Sequence, residues 1–356
     1  MKDVFAKRLK SARTLAGLSQ DELVKRIEGL VTKNAIAKYE RGEMMADGSV
    51  LMALSKALGL SSDYFFRPFT VGIENIEFRK KSKLAAKKEA AIRELVTDKV
   101  ERYLEVEQFL GIRSEFTNPI ANRTITTGED VEEAVNYLLK HWQLGYNALP
   151  NVINLLEDLE IKVIEIDAPD EFDGFSGWAN AGPMAKPKGV YPVIVVNVHY
   201  TIERKRLTAL HELAHLLLNF SPGLSHREIE RLCYRFAAAM LVPEQTMRQE
   251  LGNHRSHLSI PELIAIKETY GISIQALVQR AKDLGIITEY MFIEFRKWIS
   301  KNRAEEGLGN YIGVEKSSRF EQLLYRAAAE EVISMSKAAS LANLKLAEFR
   351  ENFFAL

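Results

Sequence analysis

Residues 205–217 read Lys-Arg-Leu-Thr-Ala-Leu-His-Glu-Leu-Ala-His-Leu-Leu, and they constrain fold and chemistry together. Leu207, Leu210, Ala214, Leu217 and Leu218 recur at helical spacing, which predicts a helix with one apolar face. At about 100° per residue, His211 and His215 stand about 40° apart and one turn along the axis, beside that face. Glu212 points round the same side, toward a cleft rather than the core. Two imidazoles at i and i+4 can hold one Zn2+ ion at about 2.0–2.1 Å, with a glutamate beside its water. Without such a role, three polar side chains would line the rim of an apolar helix at a cost in free energy.

A catalytic zinc needs a third protein ligand and an open position. Leu218 and Ser221 stand where the extended metzincin motif requires glycine and histidine, so the ligand is expected on the next helix. The apolar face there is Ile229, Leu232, Phe236 and Met240. Glu228 and Glu230 lie about 90° off it on opposite flanks, so periodicity leaves both open, with His226 a further possibility. Cys233 falls on the apolar face and is expected to pack there.

The chain of 356 residues is long enough for two or three domains. Basic and acidic residues balance at 48 each, yet the first 67 residues hold 12 basic against 8 acidic, a modest pointer to nucleic acid as partner for the head. That head reads as five short helices. Ser19-Gln20-Asp21-Glu22 is a capping box, Thr32 can cap a helix over Lys33–Arg41 and Ser49 another through Leu58; a tight turn separates the second and third helices, as in a helix-turn-helix. One cysteine, a charged amino terminus and no apolar run of membrane-spanning length lead us to expect a cytoplasmic protein with no membrane partner.

An extended stretch is expected at Thr70–Phe78, a long charged linker or packing helix over Arg79–Leu110, and helices from Glu129 and from Pro150 at position N1. Strands are expected at Ile161–Ile166, Gly174–Ala179 and Val190–Asn197, then helices over Glu203–Phe220 and Ser225–Val242 and further helices beyond Pro243. The strand 190–197, just before the metal helix, is expected either as core or as a sheet edge to which an extended substrate could add.

Residues 205–217, and Glu230 to Pro243 (Glu-Arg-Leu-Cys-Tyr-Arg-Phe-Ala-Ala-Ala-Met-Leu-Val-Pro), resemble the signature of the ImmA/IrrE family of zinc metallopeptidases. Asp173–Gly177 and the stretch Tyr270–Leu277 with Leu284-Gly285-Ile286 are similar to long members of that family; the likeness spans about residues 125–345. It implies Glu230 as third ligand beside His211 and His215, with Glu212 as the catalytic base. Tyr234 departs from the asparagine usual there. Gln20 to Gly42 resembles the Cro/repressor (XRE) helix-turn-helix family. In such a unit Ile36 and Tyr39 pack inward and leave Lys33, Asn34, Ala37 and Lys38 facing a major groove, while Gln20 at a helix start can reach phosphate.

Together these resemblances imply a mainly α fold with a small β-sheet. The expected parts are a helix-turn-helix domain (1–67), a linker with a long helix (68–124), an α+β zincin-like metallopeptidase core (125–255) and a C-terminal helical region (256–356). The function implied is a regulator that binds operator DNA, expected as a homodimer on a palindromic site, and cuts a protein partner such as a repressor or toxin–antitoxin component. The rival expectation is a non-proteolytic transcription factor or antitoxin whose zinc domain senses a ligand or holds a partner.

Overall fold

A computed structural model describes residues 1–69, 71–74, 85–181 and 189–355. The fold is mainly helical with a small sheet. Its head packs α1 (Lys2–Leu15), α2 (Gln20–Arg26), α3 (Lys33–Glu40), α4 (Gly48–Leu58) and a closing 3-10 turn (Ser62–Phe66) around fully buried Phe5, Leu9, Leu23, Ile36, Leu54 and Phe65. Ser19 and Glu22 form the expected capping box, and the hydrogen bonds from Ser19 hold the Glu22 carboxyl down to about 2. Thr32 Oγ1 accepts from Ala35 N at 3.2 Å to start α3. The cap of α4 is Asp47, not Ser49. The helix begins two residues earlier than expected, and the Asp47 carboxylate takes both the Val50 N–H at 2.9 Å and the Ser49 hydroxyl at 2.6 Å. A carboxylate is favoured there by the positive end of the helix dipole.

Next come β1 (Val71–Glu74) and the long helix α5 (Ala86–Phe109). Thr70, residues 75–78 of the expected extended stretch, and residues 79–84, including Leu84, lie outside the described residues. The head docks on α5 through buried charge. Arg8, 1 % exposed, donates to Arg67 O at 2.8 Å, Pro68 O at 2.7 Å and Glu101 Oε2 at 2.7 Å, and Arg67 pairs with Asp98.

The body continues with β2 (Thr124–Ile125), α6 (Gly128–His141), α7 (Val152–Asp158), β3 (Lys162–Ile166), β4 (Gly174–Ala181), β5 (Val190–Asn197), α8 (Ile202–Leu217), β6 (Asn219–Phe220) and α9 (His226–Leu241). Among the described residues the main sheet runs β1–β4–β5–β3, with β3 parallel to β5 and the other pairs antiparallel. Alternation sets its two faces: Val193 and Val195 meet α5, whereas Ile194 and Val196 meet the helices on the other side. The expectation of β5 as an edge for substrate addition fails. Its backbone is already paired on both sides, to β3 and to β4.

Two further boundaries differ from the sequence expectation. Pro150 precedes α7 instead of opening it: the Asn151 side chain caps the helix at Asn154 N, 2.8 Å, and Glu315, far along the chain, accepts from Val152 and Ile153 N–H at 2.9–3.0 Å. α8 ends at Leu217 because Leu218 turns extended, and Asn219–Phe220 pair with β2 instead. The remaining helices are α10 (Glu244–Leu251), α11 (Ile260–Tyr270), α12 (Ile274–Asp283), α13 (Glu289–Ile299), α14 (Arg319–Ala329), α15 (Met335–Ala342) and α16 (Leu346–Phe354). α14 to α16 share a small core with Val106 at the end of α5.

Candidate metal centre and nucleic-acid interface

α8 lies against β4 and β5 with its apolar side in the main core, and α9 packs alongside it. This brings three donors together. His211 Nε2 and His215 Nε2 are 3.1 Å apart; Glu230 Oε1 is 3.3 Å from His215 Nε2, and Glu230 Oε2 is 3.8 Å from His211 Nε2. Donors held at about 2.0–2.1 Å around one tetrahedral zinc are separated by about 3.3–3.4 Å, so the spacing and the N, N, O chemistry fit that ion. His211 is fully buried, Glu230 is 6 % exposed, and the side chain of His215 reaches the surface at 14 %.

The other two sequence candidates lie elsewhere. Glu228 is exposed and closes the capping box of α9, accepting from Ser225 N at 2.8 Å and Ser225 Oγ at 2.5 Å. His226 opens α9, exposed to solvent. Cys233 is buried as expected, but it also touches the site: its Sγ is 3.7 Å from His215 Nδ1. His211, His215 and Cys233 therefore form a second donor group with atoms within 4.8 Å. We favour Glu230, because it faces the same Nε2 atoms that the two histidines turn toward each other. Cys233 lies behind the His215 ring, on the nitrogen that a zinc-bound histidine uses for an outer hydrogen bond.

Glu212 is 2 % exposed, and its Oε2 accepts from Ser176 Oγ of β4 at 2.9 Å. Gly174 permits this approach, since a Cβ there would meet Val195 O at 2.8 Å and Thr208 Cγ2 at 2.9 Å. Tyr234 walls the other side, its ring centroid 4.4 Å from that of His211. A cavity of about 850 Å3 opens beside the donors, lined by Glu230, Tyr234 and Arg231 of α9 and by Gln275, Phe292 and Arg296 of α12 and α13.

In the head, α3 turns Ile36 and Tyr39 inward and leaves Lys33, Asn34 and Lys38 exposed, with Ala37 half-buried between them. Lys33 Nζ pairs with Asp21 at 2.7 Å in solvent. Gln20 opens α2, and its amide donates to Glu40 Oε2 at 2.9 Å within a network that also holds Arg13.

Residues 9–65 match the family model described as helix-turn-helix, and residues 156–282 match the peptidase M78 model described as IrrE N-terminal-like domain. The chain joins a helix-turn-helix domain to an IrrE N-terminal-like domain. No curated protein matches it at a significant level. Within the IrrE N-terminal-like domain, sequence reasoning missed the hydrogen bond from Ser176 to Glu212 and the contact of Cys233 with His215. Periodicity carries neither, because each joins residues on separate elements. Among the described residues no helix is long and apolar enough to cross a membrane.

Proposed function

We propose that the chain is a DNA-binding regulator whose IrrE N-terminal-like domain is a zinc-dependent endopeptidase acting on a protein partner. The observation that carries this reading is Glu212: a carboxylate on the histidine helix, buried beside the two imidazoles and held by a serine hydroxyl. A structural metal site has no need of it. His211, His215 and Glu230 would hold the ion, which when bound lowers the pKa of a water toward about 7 and polarises a scissile carbonyl. Glu212 takes the proton of the attacking water and delivers it to the leaving amine, and Ser176 keeps one carboxylate oxygen turned toward β4. Arg227 and Arg296 line the adjoining cavity without an ion pair among the described residues, beside Arg231, which Glu228 attracts, and they favour a protein segment that carries acidic side chains.

At the head, α3 enters a major groove, with Lys33, Asn34 and Lys38 reaching base edges or phosphates and Ala37 allowing close approach. A homodimer on a palindromic operator matches this use of one small recognition helix per chain. Replacement of Glu212 by Gln tests the enzyme reading. The variant keeps zinc and DNA binding but loses about 100-fold or more in cleavage of its partner, the contribution of a general base. If reporter output and partner levels in E212Q cells equal those of wild type under every inducing stress, while H211A cells differ, the domain is a sensor and the peptidase reading falls.

A further inference from the structure

A second cavity, of about 560 Å3, lies on the far side of β3 from the main core, between α5 and the C-terminal helices α14–α16. Its size falls within the range of about 300–1,000 Å3 usual for small-molecule sites. It shares no lining residue with the metal centre or its cleft. Phe320, Tyr325 and Phe349 supply aromatic walls, Tyr325 and Phe349 being stacked at 5.5 Å between centroids.

The charges around this cavity are unbalanced. Lys99, Arg102 and Lys316 face Glu165 and Glu321. Glu165 is already committed, its carboxylate accepting from Lys205 Nζ at 2.7 Å and Ser317 N at 2.7 Å. Arg102 is held by Asp98 at 2.9 Å and by Leu341 O at 2.9 Å, and Lys316 lies 3.7 Å from Glu321. Lys99 is half-buried and makes neither an ion pair nor a hydrogen bond among the described residues. Burial, with Arg102 alongside, pushes its ammonium below the ordinary lysine range. Asp98, Glu165 and Glu321 offset that desolvation only in part, and none of the three pairs with Lys99 directly, so an anion in the cavity would complete the compensation.

We propose that this cavity binds a small organic anion with an aromatic body, its acidic group against Lys99 and its ring against Phe320, Tyr325 and Phe349. The chemistry accepts either a phosphate or a carboxylate. The position also matters for the head: α5 carries Lys99 and Arg102 between and beside Asp98 and Glu101, the two carboxylates that hold Arg67 and Arg8. An occupant would thus sit one turn or less from the docking contacts of the DNA-binding domain.

Calorimetric titration of the full chain tests this, with 5′-AMP and indole-3-acetate as probes and adenosine and indole as their uncharged counterparts. At least one anion binds wild type, the phosphate or carboxylate source being told by which, and its neutral counterpart binds about tenfold or more weakly. Lys99→Met weakens the anion by about 10- to 100-fold, the loss of one charge-assisted hydrogen bond. Ala342→Phe, which fills the cavity from the end of α15, abolishes binding while the circular dichroism spectrum stays that of wild type. Failure of both anions to bind wild type overturns the proposal, as does binding of wild-type strength in both variants.

Discussion

Glu315→Ala is expected to weaken the peptidase-like body far more than its place in a loop before α14 suggests. Glu315 has a fully buried side chain paired with Arg206 of the metal helix, also fully buried. Arg206 further donates to Leu149 O at 2.8 Å and to Tyr270 O and Gly271 O at 3.2 Å, so its charge cannot leave when the carboxylate goes. Gly271 is part of the same fit: with φ at +61°, a Cβ there would meet Arg206 Nε at 2.6 Å. Breaking a buried ion pair by removing one partner costs about 3–5 kcal/mol, against a total domain stability of about 5–15 kcal/mol. The loss of Glu315 also orphans the first N–H groups of α7, worth about a further 1 kcal/mol. Urea unfolding read by tryptophan emission isolates the effect, because Trp142, Trp178 and Trp298 all lie outside the head. With a slope of about 2–3 kcal/mol per M, the combined loss lowers the midpoint by about 1.3–3 M at fixed zinc concentration. The pair Arg206→Met with Glu315→Leu recovers the part that comes from the uncompensated Arg206 charge, and it leaves the α7 N–H groups and the carbonyls of Leu149, Tyr270 and Gly271 without these side-chain partners. A midpoint change under about 0.3 M in Glu315→Ala, or no recovery in the pair, refutes the account.

Glu230→Ala should lower bound zinc from close to one per chain to a small fraction by atomic absorption, whereas Glu228→Ala should leave zinc in place and only loosen the α9 cap. Retention in the first with loss in the second would move the third ligand. Alanine at Lys33 and Asn34 together should abolish operator binding in an anisotropy titration without changing zinc content, at about 1–3 kcal/mol for each base contact; unchanged binding rejects α3 as the reading helix. Stability should also fall in acid through Glu132. Burial alone would raise its carboxyl, but hydrogen bonds and charge from Arg280 and Arg235 outweigh that and hold it below the ordinary value of 4.5. A depressed folded pKa stabilises fully above the unfolded value and is lost as pH falls through the folded one, so wild type should lose stability below about pH 4.5 more steeply than Glu132→Gln. Parallel pH curves for the two proteins would exclude Glu132 as a source of the acid sensitivity.

Local chemistry made much of this molecule legible in its sequence. Helix periods, the Ser19–Glu22 box, the Thr32 cap and the paired histidines depend on neighbours three or four positions away, so residue order alone encodes them. The same rule explains the misreading at α4, where Asp47 and Ser49 compete for one helix start and spacing does not rank them. Tertiary structure decided what joins distant segments. Glu228 and Glu230 flank one helix symmetrically, and only the packing of α9 on α8 turns Glu230 to the imidazoles and leaves Glu228 in solvent. β5 became an interior strand because β3 and β4 close on both its edges. Glu315 caps a helix 163 positions away, and Ser176 reaches the candidate base on α8 from strand β4. No period in a sequence carries such pairs, since their partners are set by topology and by the need to satisfy buried charge wherever the fold places it.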